Sequence, residues 1–252
     1  MLRKNVLHCP QLQPLEALRK RVKVTHYAAH RSRGRKALDA IGIAPQFRGT
    51  SVHDGLASYQ GYSFTHAWCN VHHLRDLTFV EEELGQAWAG EMKDLLLEMK
   101  AEVERAKALG QNALDILILA RLLRSYDKIL AQGYLANPPP PTPSKSEYSK
   151  RTPGRPKQSP ARNLLDRLSQ GKWTALRFLH DFAVPFDNNQ AERDLRMIKV
   201  QQKVSGSFRT DEGVAMFCCI RSYLSTLHKQ GIERLSALGY TLLGHPVLPA
   251  FS

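Results

Sequence analysis

Two carboxylates in this sequence occupy positions from which a protein can hold a divalent metal ion. Asp54 comes between a strand-like segment and Gly55, and strand ends in open α/β sheets commonly present ligands to metals or phosphates. A simple turn-forming role is the alternative for Asp54. Glu192 lies in a segment with helical spacing. Together the two side chains could hold Mg²⁺, which prefers oxygen ligands and often keeps substrate phosphate in its shell. Two such ions would stabilise the attacking and leaving oxygens of an in-line phosphoryl displacement. A third carboxylate is normally needed to hold them.

The segment around Glu192 predicts an amphipathic helix. Pro185 ends an extended stretch, and Asp187 or Asn188 can accept hydrogen bonds from the free amides of the first turn. One face of this helix carries polar side chains at positions i, i+3, i+7 and i+10, namely Asn189, Glu192, Arg196 and Lys199. A solvated helix with an internal ion pair between Glu192 and Arg196 is the other interpretation.

A cationic run continues beyond this helix. Lys203 and Arg209 flank Ser205 and Ser207, and all four side chains suit contacts with phosphate oxygens. A solvated helix end followed by a turn would have the same composition. The segment is therefore predicted either to contact a nucleic-acid backbone or to be exposed to solvent.

A short stretch with cysteine and histidine invites a zinc interpretation. Cys69 and His72 have the spacing of a pair of zinc ligands, with His73 beside them. A structural zinc site needs about four ligands, and no second pair of comparable spacing follows. We therefore interpret Cys69 as a buried strand end. His72, His73 and Arg75 are expected to open a helix near the active face and to contact DNA.

The composition favours a basic globular protein. The chain has 252 residues, 42% of them hydrophobic, and a formal net charge of +13, which favours a polyanionic partner. Nucleic acid is the first candidate and an anionic membrane surface the second. No apolar run approaches the roughly 20 residues that span a bilayer, and the start of the chain lacks the apolar core of a secretory signal. We expect a cytoplasmic, nucleoid-associated protein whose four cysteines are reduced thiols.

The pattern along the chain predicts a mixed α/β protein. A helix is expected from residue 35 to a stop at Gly42, strands at 50–53 and 64–69, and a helix at 164–180. Apolar residues at helical spacing in 84–99 and 116–126 are expected to form a core. Six divisions are predicted. They are an atypical leader (1–21), the first part of a catalytic core (22–80), a helical insertion (81–137), a Pro-rich basic linker (138–162), helices including that of Glu192 (163–215) and a helical end (216–252).

Several ordered segments resemble the carboxy-terminal signature of TnpC-type insertion-sequence transposases, the family numbered sixty-six. The resemblance covers about residues 22 to 246. The matching segments are Thr25-His26-Tyr27, Arg33-Gly34, Phe47-Arg48-Gly49, Val52-His53-Asp54-Gly55, Tyr59 and residues 69–75, 184–196, 204–209 and 220–226.

This resemblance implies a DDE transposase with an RNase H-like core, in which two aspartates and one glutamate bind Mg²⁺ or Mn²⁺ for DNA strand cleavage and joining. Asp54 matches the second aspartate and Glu192 the glutamate. The surrounding motif includes Asn188, Asn189, Arg193 and Arg196, and these four residues together with Lys199 are expected to contact DNA. The long separation of the two carboxylates implies a helical insertion inside the core. The implied partner is DNA at the ends of the element, with a homo-oligomer or a full-length transposase as a further partner.

The chain departs from the family pattern at the first aspartate, which lies in the family upstream of the segment matched by Thr25-His26-Tyr27. No aspartate precedes Asp39, and Glu16 is the only earlier carboxylate. We therefore expect an incomplete RNase H-like core from a truncated or frameshifted gene, with weakened metal binding. The alternative is a non-catalytic DNA-binding protein that pairs with or inhibits a full-length transposase. A nuclease unrelated to transposition fits the carboxylates but not the long motif match.

Overall fold

The structure is a computed structural model that describes residues 5–8, 12–13, 24–32, 34–139, 158–189, 196, 200, 203–204, 206 and 208–250. The chain divides into two compact units, residues 1–67 with 187–252, and residues 68–186. Helix predominates over strand, so the prediction of a mixed α/β chain is confirmed in its coarse form. The finer six-part division of the sequence stays a prediction.

A three-stranded sheet in the first unit leads to Asp54. Its order is β2 (Leu12–Gln13), β4 (Thr50–His53) and β5 (Thr65–Trp68). Strand β2 runs antiparallel to β4. The amide of Thr65 donates to the carbonyl of Gly49 over 3.0 Å, so β4 and β5 begin side by side and run parallel. Because β4 is central, its last three residues are all buried.

A second pair of strands packs on a long helix of the same unit. Strand β1 (Asn5–His8) is antiparallel to β3 (Tyr27–His30). Helix α9 (Asp211–Lys229) lies against β3, where Tyr27 joins Cys218 in a buried cluster. Helix α9 was expected to begin near residue 216. It begins earlier because the side chain of Thr210 accepts a 3.0 Å hydrogen bond from the amide of Gly213.

Hydroxyl groups of α9 satisfy the backbone at β3. The amide of Thr25 donates to Oγ1 of Thr226 over 2.9 Å, and that hydroxyl donates to the carbonyl of Thr25 over 3.2 Å. The amide of Tyr27 donates to Oγ of Ser222 over 2.8 Å. The helix thus supplies the hydrogen bonds that a further strand would otherwise make.

Among the described residues, the first unit also contains the short helices α1 (Arg35–Ile41), α2 (Ile43–Gln46) and α10 (Arg234–Leu242). The predicted stop of α1 at Gly42 is confirmed. Gly42 has φ of 81°, and its amide donates to the carbonyl of Leu38 over 3.2 Å. Leu38 packs with Ala44 and Phe64 in a core of its own.

The second unit is a helical bundle. Its helices are α3 (Asn70–Glu82), α4 (Ala87–Ala108), α5 (Ile116–Ala136), α6 (Pro160–Gln170), α7 (Lys172–Ala175) and α8 (Arg177–His180). Helix α4 packs between α3 and α5. The predicted apolar rows form the core at Met92, Met99 and Tyr126, which are fully buried. Leu84 and Ile116 were also expected in the core, but they are 40% and 71% exposed because they lie at helix ends.

The single helix expected over 164–180 is broken at two places. A turn at Gly171 separates α6 from α7, and a second turn at Leu176 separates α7 from α8. A Cβ atom at Gly171 would lie 2.0 Å from ring atoms of Trp68. The indole of Trp68 thus lies directly against the backbone where the helix ends.

No helix in the described part of the chain has both the length and the apolar character needed to cross a membrane.

Candidate active site

Asp54 is the first residue after β4, and its side chain is exposed. Its Oδ1 atom accepts a 3.0 Å hydrogen bond from the amide of Leu56. Gly55 between them has φ of 83°, a left-handed conformation that favours glycine. The Asp-Gly pair that suggested a strand end in the sequence therefore forms a tight turn, which holds one carboxylate at the end of the sheet.

Two histidines behind Asp54 form a directed chain of hydrogen bonds. The Nε2 atom of His66 lies 3.2 Å from the carbonyl oxygen of Tyr62, which can only accept, so Nε2 carries the proton. The Nδ1 atom of His66 is then an acceptor and lies 3.0 Å from Nε2 of His53, which must donate. The Nδ1 atom of His53 in turn accepts from the amide of Gly55 over 3.1 Å. Each contact has one donor and one acceptor when both rings are neutral.

Burial supports this neutral state of His53. The side chain is 3% exposed and lies 4.6 Å, between ring centroids, from Tyr59. Burial, with the neighbouring His66, lowers the pKa of His53 to about 4, while the charge of Asp54 acts in the opposite direction. His53 is therefore uncharged at neutral pH. Sequence analysis missed the pair, because which histidines meet depends on the register of two strands and leaves no local signal.

Asn188 connects the start of the Glu192 segment to β4. Its Nδ2 atom donates a 3.2 Å hydrogen bond to the carbonyl of Val52. The next amide, that of Asn189, donates to Oδ1 of Asp187 over 3.1 Å, so Asp187 accepts from the chain as expected of a cap. Glu192 itself, with Arg193 and Lys199, lies outside the described residues.

The remaining predicted DNA contacts of this unit are exposed cations. Arg196, Lys203 and Arg209 all have exposed side chains. Exposure is what a phosphate contact requires, and it is also what a solvated surface gives. Their role stays a prediction.

His73 and Arg75 belong to α3 of the second unit. Arg75 is exposed, but His73 is only 4% exposed, and its Nδ1 atom lies 3.0 Å from Oδ1 of Asn70. Burial lowers the pKa of His73 to about 3, with the charge of Arg167 acting in the same direction. His73 is therefore a buried side chain that contacts Asn70 of the same helix. The prediction that His73 contacts DNA does not fit its burial.

The sequence offered too few ligands for zinc at Cys69 and favoured a buried strand end there. Cys69 is 2% exposed, in agreement with a buried strand end. Over the residues that the structure describes, no group of three or more His, Cys, Asp or Glu side chains could hold a metal ion. Glu192 is not among the residues to which this statement applies.

A comparison of the chain with models of known protein families identifies its family. The model of the Transposase IS66 family matches residues 15–216, which is most of the chain. The chain therefore belongs to the IS66 family of transposases, as its ordered motifs predicted, and its function is related to DNA transposition. Membership of this family also implies that DNA is a partner. No curated protein and no solved structure matches the chain significantly.

The structure gives a physical role to two of the motifs that carried the resemblance. Residues 25–27 and 220–226 meet each other, since Ser222 and Thr226 are the hydroxyls that bond the backbone of Thr25 and Tyr27. The second motif lies beyond the end of the family match at residue 216. It serves the packing of α9 on β3.

Proposed function

We propose that this chain is a DDE-type transposase homologue with an RNase H-like core, in which Asp54 and Glu192 bind Mg²⁺ or Mn²⁺ for cleavage and joining of DNA strands. The family supports the reaction class. The parallel pair β4 and β5, with a carboxylate at the end of the central strand, supports the core. One catalytic carboxylate from a strand end and one from a helix would face the same phosphate.

The hydrogen bond from Asn188 to Val52 is the observation that carries this proposal. It fixes the chain four residues before Glu192 beside Val52, a strand residue two positions before Asp54. Should the helix predicted from residue 187 continue to Glu192, four residues add about 6 Å along its axis. On that geometry we expect the two carboxylates to lie within reach of shared ions.

Asp54 suits a hard divalent cation. Its carboxylate is exposed at a strand end and offers oxygen donors, which Mg²⁺ prefers. The bound ions would stabilise the charge that develops on the phosphate oxygens. The turn at Asp54 would hold the metal site in place. Exposed cations such as Arg196, Lys203 and Arg209 would bind the DNA backbone.

The catalytic state depends on the carboxylates present. The motifs of the printed sequence identify two of the three carboxylates that the reaction class uses. We infer weak metal binding and slow strand transfer by this chain alone. This sequence feature also favours the second candidate function, a non-catalytic DNA-binding protein that pairs with or inhibits a full-length transposase.

A strand-transfer assay tests the proposal. The purified chain is incubated with labelled duplex DNA carrying the ends of its own insertion element, with Mg²⁺ or Mn²⁺ and with EDTA. Slow, metal-dependent nicking that disappears in Asp54→Asn and in Glu192→Gln supports the metal site. Asp94→Asn and Glu91→Gln, which change exposed carboxylates of α4 in the same way, are matched controls. Nicking that survives both site substitutions overturns the proposal, and DNA binding without any nicking supports the non-catalytic function.

A further inference from the structure

We propose that His53, supported by His66, positions the carboxylate of Asp54 for metal binding by holding the turn that follows β4. The inference rests on the proposed function, because it needs Asp54 to be a metal ligand. It adds two residues that act through Asp54 and do not touch the metal or the DNA themselves.

Two successive amides after Asp54 are held by two different side chains. The amide of Gly55 donates to the ring of His53, and the amide of Leu56 donates to the carboxylate of Asp54. The first bond ties the turn backward to the buried strand, and the second ties Asp54 to the turn. Since a glycine can leave the left-handed φ of Gly55 easily, the bond from its amide to His53 helps to hold this turn, together with the bond from Leu56 to Asp54.

His66 fixes the orientation of the His53 ring. The proton on Nε2 of His53 points to Nδ1 of His66 over 3.0 Å, which leaves Nδ1 of His53 facing the amide of Gly55. His66 is fixed in turn by the carbonyl of Tyr62. Partners that hydrogen-bond a metal ligand orient it, and their substitution typically weakens metal binding by about 10- to 100-fold. Because His53 bonds the amide of Gly55 and not Asp54 itself, we expect an effect at the lower end of that range.

The hydrogen-bond chain requires specific chemistry at position 53. The side chain must accept from an amide two residues ahead and donate to His66 on its other side. An asparagine at this position can still accept from the amide of Gly55, as it does in Asx turns, but its short side chain cannot reach His66. An alanine can do neither. The two substitutions therefore separate the turn bond from the link to His66.

A spectroscopic test uses the intact chain without metal. Nitrogen-15 chemical shifts of the imidazoles are expected to place the proton on Nε2 in both His53 and His66, and the amide of Gly55 is expected to resist hydrogen exchange. His53→Ala should remove that protection, and His53→Asn should restore part of it. A proton on Nδ1 of His53, or equal exchange of the Gly55 amide in all variants, overturns the inference.

Mn²⁺ binding, followed by loss of the free-ion electron paramagnetic resonance signal, tests the functional consequence. We expect about tenfold weaker binding in His53→Ala, less weakening in His53→Asn, and no change in His245→Ala, an exposed histidine of the same unit. Circular dichroism melting shows whether each variant is folded. A merely structural role of His53 would lower the melting temperature without changing the Mn²⁺ affinity of the folded protein. Unchanged affinity in His53→Ala, with weaker binding in Asp54→Asn, overturns this inference alone. Unchanged affinity in Asp54→Asn overturns the proposed function and this inference with it.

Discussion

The side-chain amide of Asn188 donates a 3.2 Å hydrogen bond to the main-chain carbonyl of Val52. These residues are far apart in the sequence, yet each lies just before a carboxylate of the proposed site. Val52 lies in the strand two residues before Asp54, and Asn188 lies four residues before Glu192 in the sequence. The bond therefore links the segment that precedes Glu192 to the strand that precedes Asp54.

Replacing Asn188 with alanine is expected to destabilise the first unit. The carbonyl of Val52, in a buried strand residue, would lose its side-chain donor, at a cost of about 1–3 kcal/mol in the free energy of unfolding. Urea denaturation measures the change. Asn189→Ala is the matched control, because Asn189 bonds Asp187 through its backbone amide and the substitution keeps that bond. Equal losses in the two variants would show that the bond to Val52 contributes nothing particular.

Removing a hydroxyl from α9 should weaken its packing on β3. Thr226→Val keeps the shape of the side chain but leaves the buried amide of Thr25 without its acceptor, and Ser222→Ala does the same to Tyr27. Each substitution is expected to cost about 1–3 kcal/mol in the free energy of unfolding, measured by chemical denaturation. The neighbouring Ser225→Ala is the control. A loss in Ser225→Ala as large as in Thr226→Val would contradict this explanation of the motif.

Two glycine substitutions should change stability in opposite directions. Gly171→Ala places a methyl group 2.0 Å from the ring of Trp68, which forces the tightly packed second unit to shift, at a cost of about 1–3 kcal/mol. Gly239→Ala meets no atom within 4 Å on exposed helix α10 and should stabilise it by about 0.5–1 kcal/mol. Thermal melting distinguishes the two signs. A neutral Gly171→Ala would mean that the indole of Trp68 does not pack there.

His73 should make the protein less stable in acid. The pKa of His73 is lowered in the folded chain from 6.5 to about 3, so between these values the unfolded chain binds a proton that the folded chain does not. Its contribution is thus present above pH 6.5 and is lost progressively as the pH falls toward 3. Urea denaturation at several pH values should give a shallower acid loss for His73→Gln than for the parent chain. His245→Gln, at an exposed position, is the control, and an unchanged slope in His73→Gln would contradict the expectation.

Local sequence signals predicted some elements well. The strand Thr50–His53 and the helix stop at Gly42 follow from turn chemistry that neighbouring residues supply themselves. The break at Gly171 could not be predicted in this way, because it accompanies the close approach of Trp68, a residue distant in sequence. Likewise, the Asp-Gly turn revealed Asp54, whereas the support from His53 and His66 depends on which strands become neighbours. The role of Glu192 stays a prediction from its motif.

The most direct test of the central claim is whether Asp54 and Glu192 hold the same metal ion. Mn²⁺ affinity is measured for the parent chain, Asp54→Asn, Glu192→Gln and the double variant, which together form a double-mutant cycle. Shared coordination predicts that each single substitution weakens binding and that the double variant binds little more weakly than either single variant. Losses that simply add, or affinities unaffected by either substitution, would contradict a shared metal site.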